Sequence, residues 1–219
     1  GVNAFDEPNV TESKENTQRV LKQGGGATGD RTGSARFEKA LLSLFDSAKP
    51  GDYFAFMAYL TQTDANDFAL SRMRLAVRNR LKIATTMGYG PRFLHSTGQL
   101  HKGGANNVLA FQITSGRAQD EPIPGEPHTF GELFRAQSVG DWLSLQQHGR
   151  RAVRVHLKNE SELVSLASMF EDLLAMKSPR KTKQVEKRQI IAKRKVSTSK
   201  SAPRNIKRQA RVRTKRKRT

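Results

Sequence analysis

Apolar side chains recur at Phe37, Ala40, Leu41, Leu44, Phe45 and Ala48, the spacing of a single helical face, and Pro50-Gly51 stops the pattern. The next stretch, YFAFMAYL from Tyr53 to Leu60, is apolar without alternation and rich in aromatics. It reads as a strand buried on both faces, as strands of parallel sheets are. Asp64 or Asp67 is placed to cap a second helix through Leu81, whose outer face carries Arg72, Arg74, Arg78 and Arg80. Further strands are expected at Ile83 to Met87, Val108 to Ile113 and Ala152 to Leu157.

Upstream, an Asp6-Glu7-Pro8 turn leads to a helix with a stripe of Val10, Thr17, Val20 and Leu21, where Asn9 and Glu12 have capping-box spacing. Gly24, Gly25 and Gly26 end it, and residues 24–33 read as a flexible connector. Downstream, a Pro-rich connector from Asp120 to Pro127 precedes a capping box of Thr129 and Glu132. Its helix holds Phe130, Leu133 and Phe134, and Gly140 is expected to break it before Trp142. Asn159 with Glu162 caps a last amphipathic helix. Strands alternating with helices predict a three-layer α/β domain over residues 1–176, built on a mainly parallel sheet of about four strands with flanking helices.

Charge divides the chain. It carries a formal +19 overall, and residues 177–219 alone hold 19 Lys and Arg against one acid, Glu186. The remainder is close to neutral. The basic segment has no aromatic residue and too little apolar surface for a core, so it reads as a disordered tail. It would attract nucleic-acid phosphates without reading sequence, and it lacks a platform on which bases could stack. With no cysteine, disulfides and thiol chemistry are excluded. No apolar run approaches a membrane span, and a cytoplasmic setting is expected. No His and carboxylate spacing suggests a metal site, and no cofactor motif is present.

The segment from Gly88 to Asn107 concentrates candidate chemistry: Arg92, His95, Ser96, Thr97, Gln99, His101 and Lys102 lie between glycines. Cations supply charge, hydroxyls and amides supply donors, and glycines allow close approach of backbone N–H groups. The segment leaves the carboxyl end of a predicted strand, where α/β sheets bind ligands. It reads as a binding loop for an anionic or phosphorylated ligand, although it matches neither standard glycine-rich phosphate pattern. The bland alternative is an ordered polar loop. His128, His148 and His156 read as structural, and Arg150, Arg151 and Arg154 as mostly solvated.

The opening NAFDEPNVTESK resembles the FDQ-x-x-V-x-x-GK segment of the glucose-6-phosphate isomerase family. The runs TTMGYGPRFLHSTGQLHKGG, PIPGEPHTFGELFRAQSVGDW and RRAVRVHL look like the C-terminal part of the isomerase half of bacterial transaldolase/glucose-6-phosphate isomerase fusion proteins. The resemblance covers roughly residues 2–158. It implies an aldose–ketose isomerase, with a SIS-like sugar-phosphate domain, that interconverts glucose 6-phosphate and fructose 6-phosphate. Lys14 stands at the family's active-site lysine, Glu7 replaces its glutamine, and Ser13 replaces its glycine. His95 or His101 would stand in for the ring-opening histidine. The resemblance thus implies Lys14, His95 and Glu7 as catalytic candidates. Arg92, Ser96, Thr97, Gln99, His101 and Lys102 remain the substrate-binding candidates. The family's glutamate base and phosphate loop lie upstream of the FDQ segment. The chain is therefore expected to be a C-terminal portion that lacks the glutamate, with an N-terminal isomerase or transaldolase portion as its partner. The competing expectation is a nucleic-acid-associated protein whose basic tail sits on a non-catalytic sugar-phosphate-binding scaffold.

Overall fold

The computed structural model describes residues 8–23, 30–116 and 119–176, all within one compact unit. Glu7 and the basic segment 177–219 lie outside the described residues. The element order is α1 (Pro8–Lys22), β1 (Asp30–Arg31), α2 (Ala35–Asp46), β2 (Tyr53–Tyr59), α3 (Asp64–Leu81) and β3 (Ala84–Tyr89). A short 3-10 turn (Arg92–Leu94) follows, then α4 (Ser96–Gly103), β4 (Val108–Ser115), α5 (Phe130–Gln147), β5 (Arg151–Leu157) and α6 (Glu162–Met176).

The sheet is five-stranded and parallel throughout, in the order β1-β5-β4-β2-β3. Four strands are those expected; β1 adds two residues inside the stretch read as a connector. Successive side chains of a strand point to opposite faces, and both faces here carry buried apolar clusters. Phe54, Phe56 and Ala58, with Leu109, Phe111 and Ile113, pack under α2, α3 and α6. Their neighbours Ala55, Met57, Tyr59, Val108 and Ala110 join Phe93 and Leu145 on the other side. Phe111 and Phe170 approach to 5.0 Å between ring centroids, and burying each such ring contributes about 1.5–3 kcal/mol.

Local signals act where they are short-range. Thr129 and Glu132 form both hydrogen bonds of a capping box on α5, and Ser34 caps α2 by accepting from Phe37 N. Three expectations are corrected. The cap of α3 is Thr63, whose hydroxyl accepts from Asn66 N, and not Asp64 or Asp67. Asn9 lies inside α1, where its side chain serves tertiary bonds. Gly140 does not break α5, which runs on to Gln147. A Cβ on Gly140 would meet Thr17 Oγ1 at 2.6 Å and Ser13 O at 2.9 Å. The glycine lets α1 lie directly on α5.

Candidate functional site

The segment expected to be a binding loop is mostly ordered as helix. After β3, the cis Gly90-Pro91 bond turns the chain, and Gly90 lies against the ring of Tyr59, with a Cβ reaching Cε1 at 2.5 Å. Arg92–Leu94 and α4 follow. The carbonyls that α4 leaves unpaired at its C-terminus are met by Arg150, which donates to Lys102 O and Gly104 O.

Helix formation sends the polar residues of this segment in two directions. Gln99, His101 and Lys102 turn inward. Gln99 accepts from Asn9 N at 3.0 Å and donates to Asn9 Oδ1 at 2.7 Å. His101 Nδ1 shares a hydrogen bond with Tyr53 Oη at 2.8 Å. Burial, followed by the Lys102 charge, lowers the His101 pKa to about 4. Lys102 Nζ donates to Asp141 Oδ1 at 2.8 Å and to Ser13 Oγ at 2.9 Å. A substrate-binding role for these three does not fit their positions, because all three are buried and each is hydrogen-bonded inside the fold. Thr97 is exposed at the start of α4; the Ser96 side chain lies outside what the structure describes.

Arg92 and His95 turn outward instead. They line a cleft of ≈ 750 Å³ beside the carboxyl end of β3, and Lys14 of α1 lines it too. Arg92 Nη2 donates to Gln62 Oε1 at 2.5 Å, and its guanidinium carbon lies 5.8 Å from the centre of the Tyr89 ring. Tyr89 in turn donates to Asp67 Oδ1 at 2.8 Å, and burial with that partner raises its pKa. The arginine is thus held in place by the end of β3 and the start of α3. Lys14 and His95 are exposed and make no side-chain hydrogen bond among the described residues.

The rest of the cleft was not legible in sequence. Gln18 and Lys22 come from the polar side of α1, Leu133 and Gln137 from α5, Ile123 and Glu126 from the Pro-rich connector, and His128 from the residue that follows it. That connector folds back on itself: Ile123 N donates to His128 O at 3.2 Å, and Gly125 takes φ +80° at the tip. Asp120 anchors it to α5 by accepting from Gly131 N and Thr129 Oγ1. The one available signal was the return of charge and imidazole, Glu126 and His128, within a Pro- and Gly-rich turn. The floor is apolar, with Val10, Leu21, Pro91 and Leu94. Among the described residues the cleft therefore offers cations from α1 and from the turn after β3, two imidazoles, two amides and a single lining carboxylate, Glu126.

The arginines read as solvated are structural. Arg151 forms an ion pair with Asp52 at 2.8 Å and donates to Ser47 O, and that guanidinium holds the Asp52 pKa below its ordinary value. Arg154 is buried, 7 % exposed. His148, at the end of α5, meets Glu12 at 2.7 Å and Asn9 at 2.9 Å, pinning the first turn of α1. Among the described residues no cluster of three or more His, Asp or Glu could hold a metal ion, and no helix is long and apolar enough to cross a membrane.

No family model matches the chain, and no curated protein matches it. A solved structure, that of a hypothetical protein from Thermus thermophilus, is similar over 73 % of this chain at 16 % identity and a TM-score of 0.50. The match spans 44 % of that longer chain. At this identity the likeness concerns the fold alone: an α/β domain with a parallel sheet.

Proposed function

We propose that residues 8–176 belong to a sugar-phosphate isomerase of the glucose-6-phosphate isomerase type, and that the cleft between Lys14 and Arg92 receives the sugar phosphate. The observation that carries this reading is the convergence of Lys14, Arg92 and His95 on one cleft. These residues lie 78 and 81 positions apart in sequence from Lys14, and the fold makes them face the same space. An anionic phosphate suits the two cations, and the amides of Gln18 and Gln137 suit sugar hydroxyls. A proton transfer between C1 and C2 needs a base near neutral pH, and among the described residues Glu126 is the only carboxylate lining the cleft. Glu126 is exposed and stands on a turn, which is not the held geometry such a step requires. The chain binds the sugar phosphate in the cytoplasm, and the base that shuttles the proton is not among the described cleft residues. A coupled assay from fructose 6-phosphate to glucose 6-phosphate on the 219-residue chain is expected to show no turnover. Turnover lost in Glu126→Gln would instead make this chain a complete catalyst.

The second reading rests on the basic segment 177–219, whose composition favours salt-sensitive, sequence-independent association with nucleic acid. Deleting residues 177–219 separates the two. Sugar-phosphate binding should survive the deletion, whereas nucleic-acid binding should vanish. Loss of both would contradict the assignment of the ligand to the cleft.

A further inference from the structure

Arg154 of β5 turns its side chain toward α5, where Nη2 donates to Ser138 Oγ at 3.2 Å. Its Nε and Nη1 are buried and reach no acceptor among the described residues. Beside it in register on β4 stands Gln112, 0 % exposed. The Gln112 amide donates to Ser138 O at 3.0 Å and to Asp141 Oδ2 at 3.3 Å, while its Oε1 accepts from no donor among the described residues.

The charges in this layer do not balance. Asp141 is engaged by Lys102, so the Arg154 guanidinium has no carboxylate of its own among the described residues. Unlike a buried lysine, an arginine does not escape the problem by giving up its proton. An unpaired interior charge is strongly unfavourable unless something compensates it. Two orphan donor groups of a cation next to one orphan acceptor define what would fit: an anionic oxygen for the guanidinium, and a hydroxyl that donates to the amide.

We propose that Arg154 and Gln112 form an interior receptor, separate from the Lys14 cleft, for a small hydroxyl-bearing anion of the hydrogen phosphate or hydrogen carbonate type. The anion accepts charge-assisted hydrogen bonds from the free guanidinium N–H groups, and its hydroxyl donates to Gln112 Oε1. Ser138 positions the guanidinium through its third nitrogen. Binding of this kind stabilises the folded chain, because the unfolded chain presents no such arrangement.

The test is the melting temperature of the full chain carrying Lys14→Ala and Arg92→Gln, so that the cleft lacks its two proposed phosphate contacts. Phosphate, hydrogen carbonate and chloride are each titrated at constant ionic strength. The first two should raise Tm saturably, by about 3–6 °C at ten times the dissociation constant. Chloride, which has no hydroxyl to donate, should do less. Adding Arg154→Met should abolish the response. Gln112→Leu keeps the guanidinium and should bring phosphate and hydrogen carbonate down to the level of chloride, which serves if the arginine variant does not fold. Equal responses to all three anions would overturn the proposal, as would a response that survives both variants. A crystal grown in phosphate that shows only water between Gln112 and Arg154 would overturn it too.

Discussion

Lys102 Nζ and Asp141 Oδ1 lie 2.8 Å apart with both side chains 0 % exposed, which ties α4 to α5 beneath α1. Ser13 and Gln112 complete the pair's hydrogen bonds. Desolvating two charges offsets much of their attraction, but removing one partner strands the other. Lys102→Met alone should destabilise the protein by about 3–5 kcal/mol. The double variant with Asp141→Leu should recover most of that loss. Urea midpoints of the three proteins check this; a double variant as unstable as the single one would show that the ion pair is not the source.

His101 makes stability depend on pH. Its folded pKa is lowered to about 4, while an unfolded histidine titrates near 6.5. Between those values the unfolded chain binds more protons, so stability falls as the pH drops from about 6.5 to 4. The group contributes about 3 kcal/mol across that window. Asp52, whose pKa is lowered chiefly by Arg151, adds a loss of the same sign at lower pH. In His101→Gln the amide can still meet Tyr53 Oη but does not titrate. Its unfolding free energy should be flatter than that of the parent from pH 6.5 to 4, as read by denaturant titration at each pH.

Gly140 sets how closely α1 rests on α5. Gly140→Ala places a methyl against the backbone of Ser13 and Thr17, and neither can move aside without shifting α1. A cost of about 1–3 kcal/mol is expected, as for other overpacked contacts. Because Lys14 rides on α1, sugar-phosphate affinity should fall as well. Thermal unfolding alongside calorimetric binding checks both effects. An unchanged melting temperature would mean that α1 packs more loosely than this contact implies.

What could be read in the sequence follows the range of the interactions. Phe37 to Ala48 and the Thr129–Glu132 box are decided within one or two turns, and both stand as expected. The continuous apolar run at Tyr53 to Leu60 signals burial on both faces, which the parallel sheet provides. Gly140 misleads because a glycine that admits a neighbouring helix looks like one that ends its own. STGQLHKG has too few apolar positions to show a helical stripe, yet it folds as α4 because Asn9, Tyr53 and Asp141 satisfy its polar side chains from a distance. The candidate site divides for the same reason. Arg92 and His95 face the cleft, while Gln99, His101 and Lys102 of the same segment are drawn inward by residues 39 to 90 positions away in the chain.

In the proposed site, Lys14 and Arg92 hold a sugar phosphate between α1 and the end of β3. Isothermal titration of fructose 6-phosphate into the full chain, beside Lys14→Ala and Arg92→Gln, tests it most directly. Saturable binding to the parent is expected, with at least a tenfold weaker affinity in each variant, about 1.4 kcal/mol per lost charge contact. Binding of equal strength in all three proteins, or no binding to the parent at all, would contradict it.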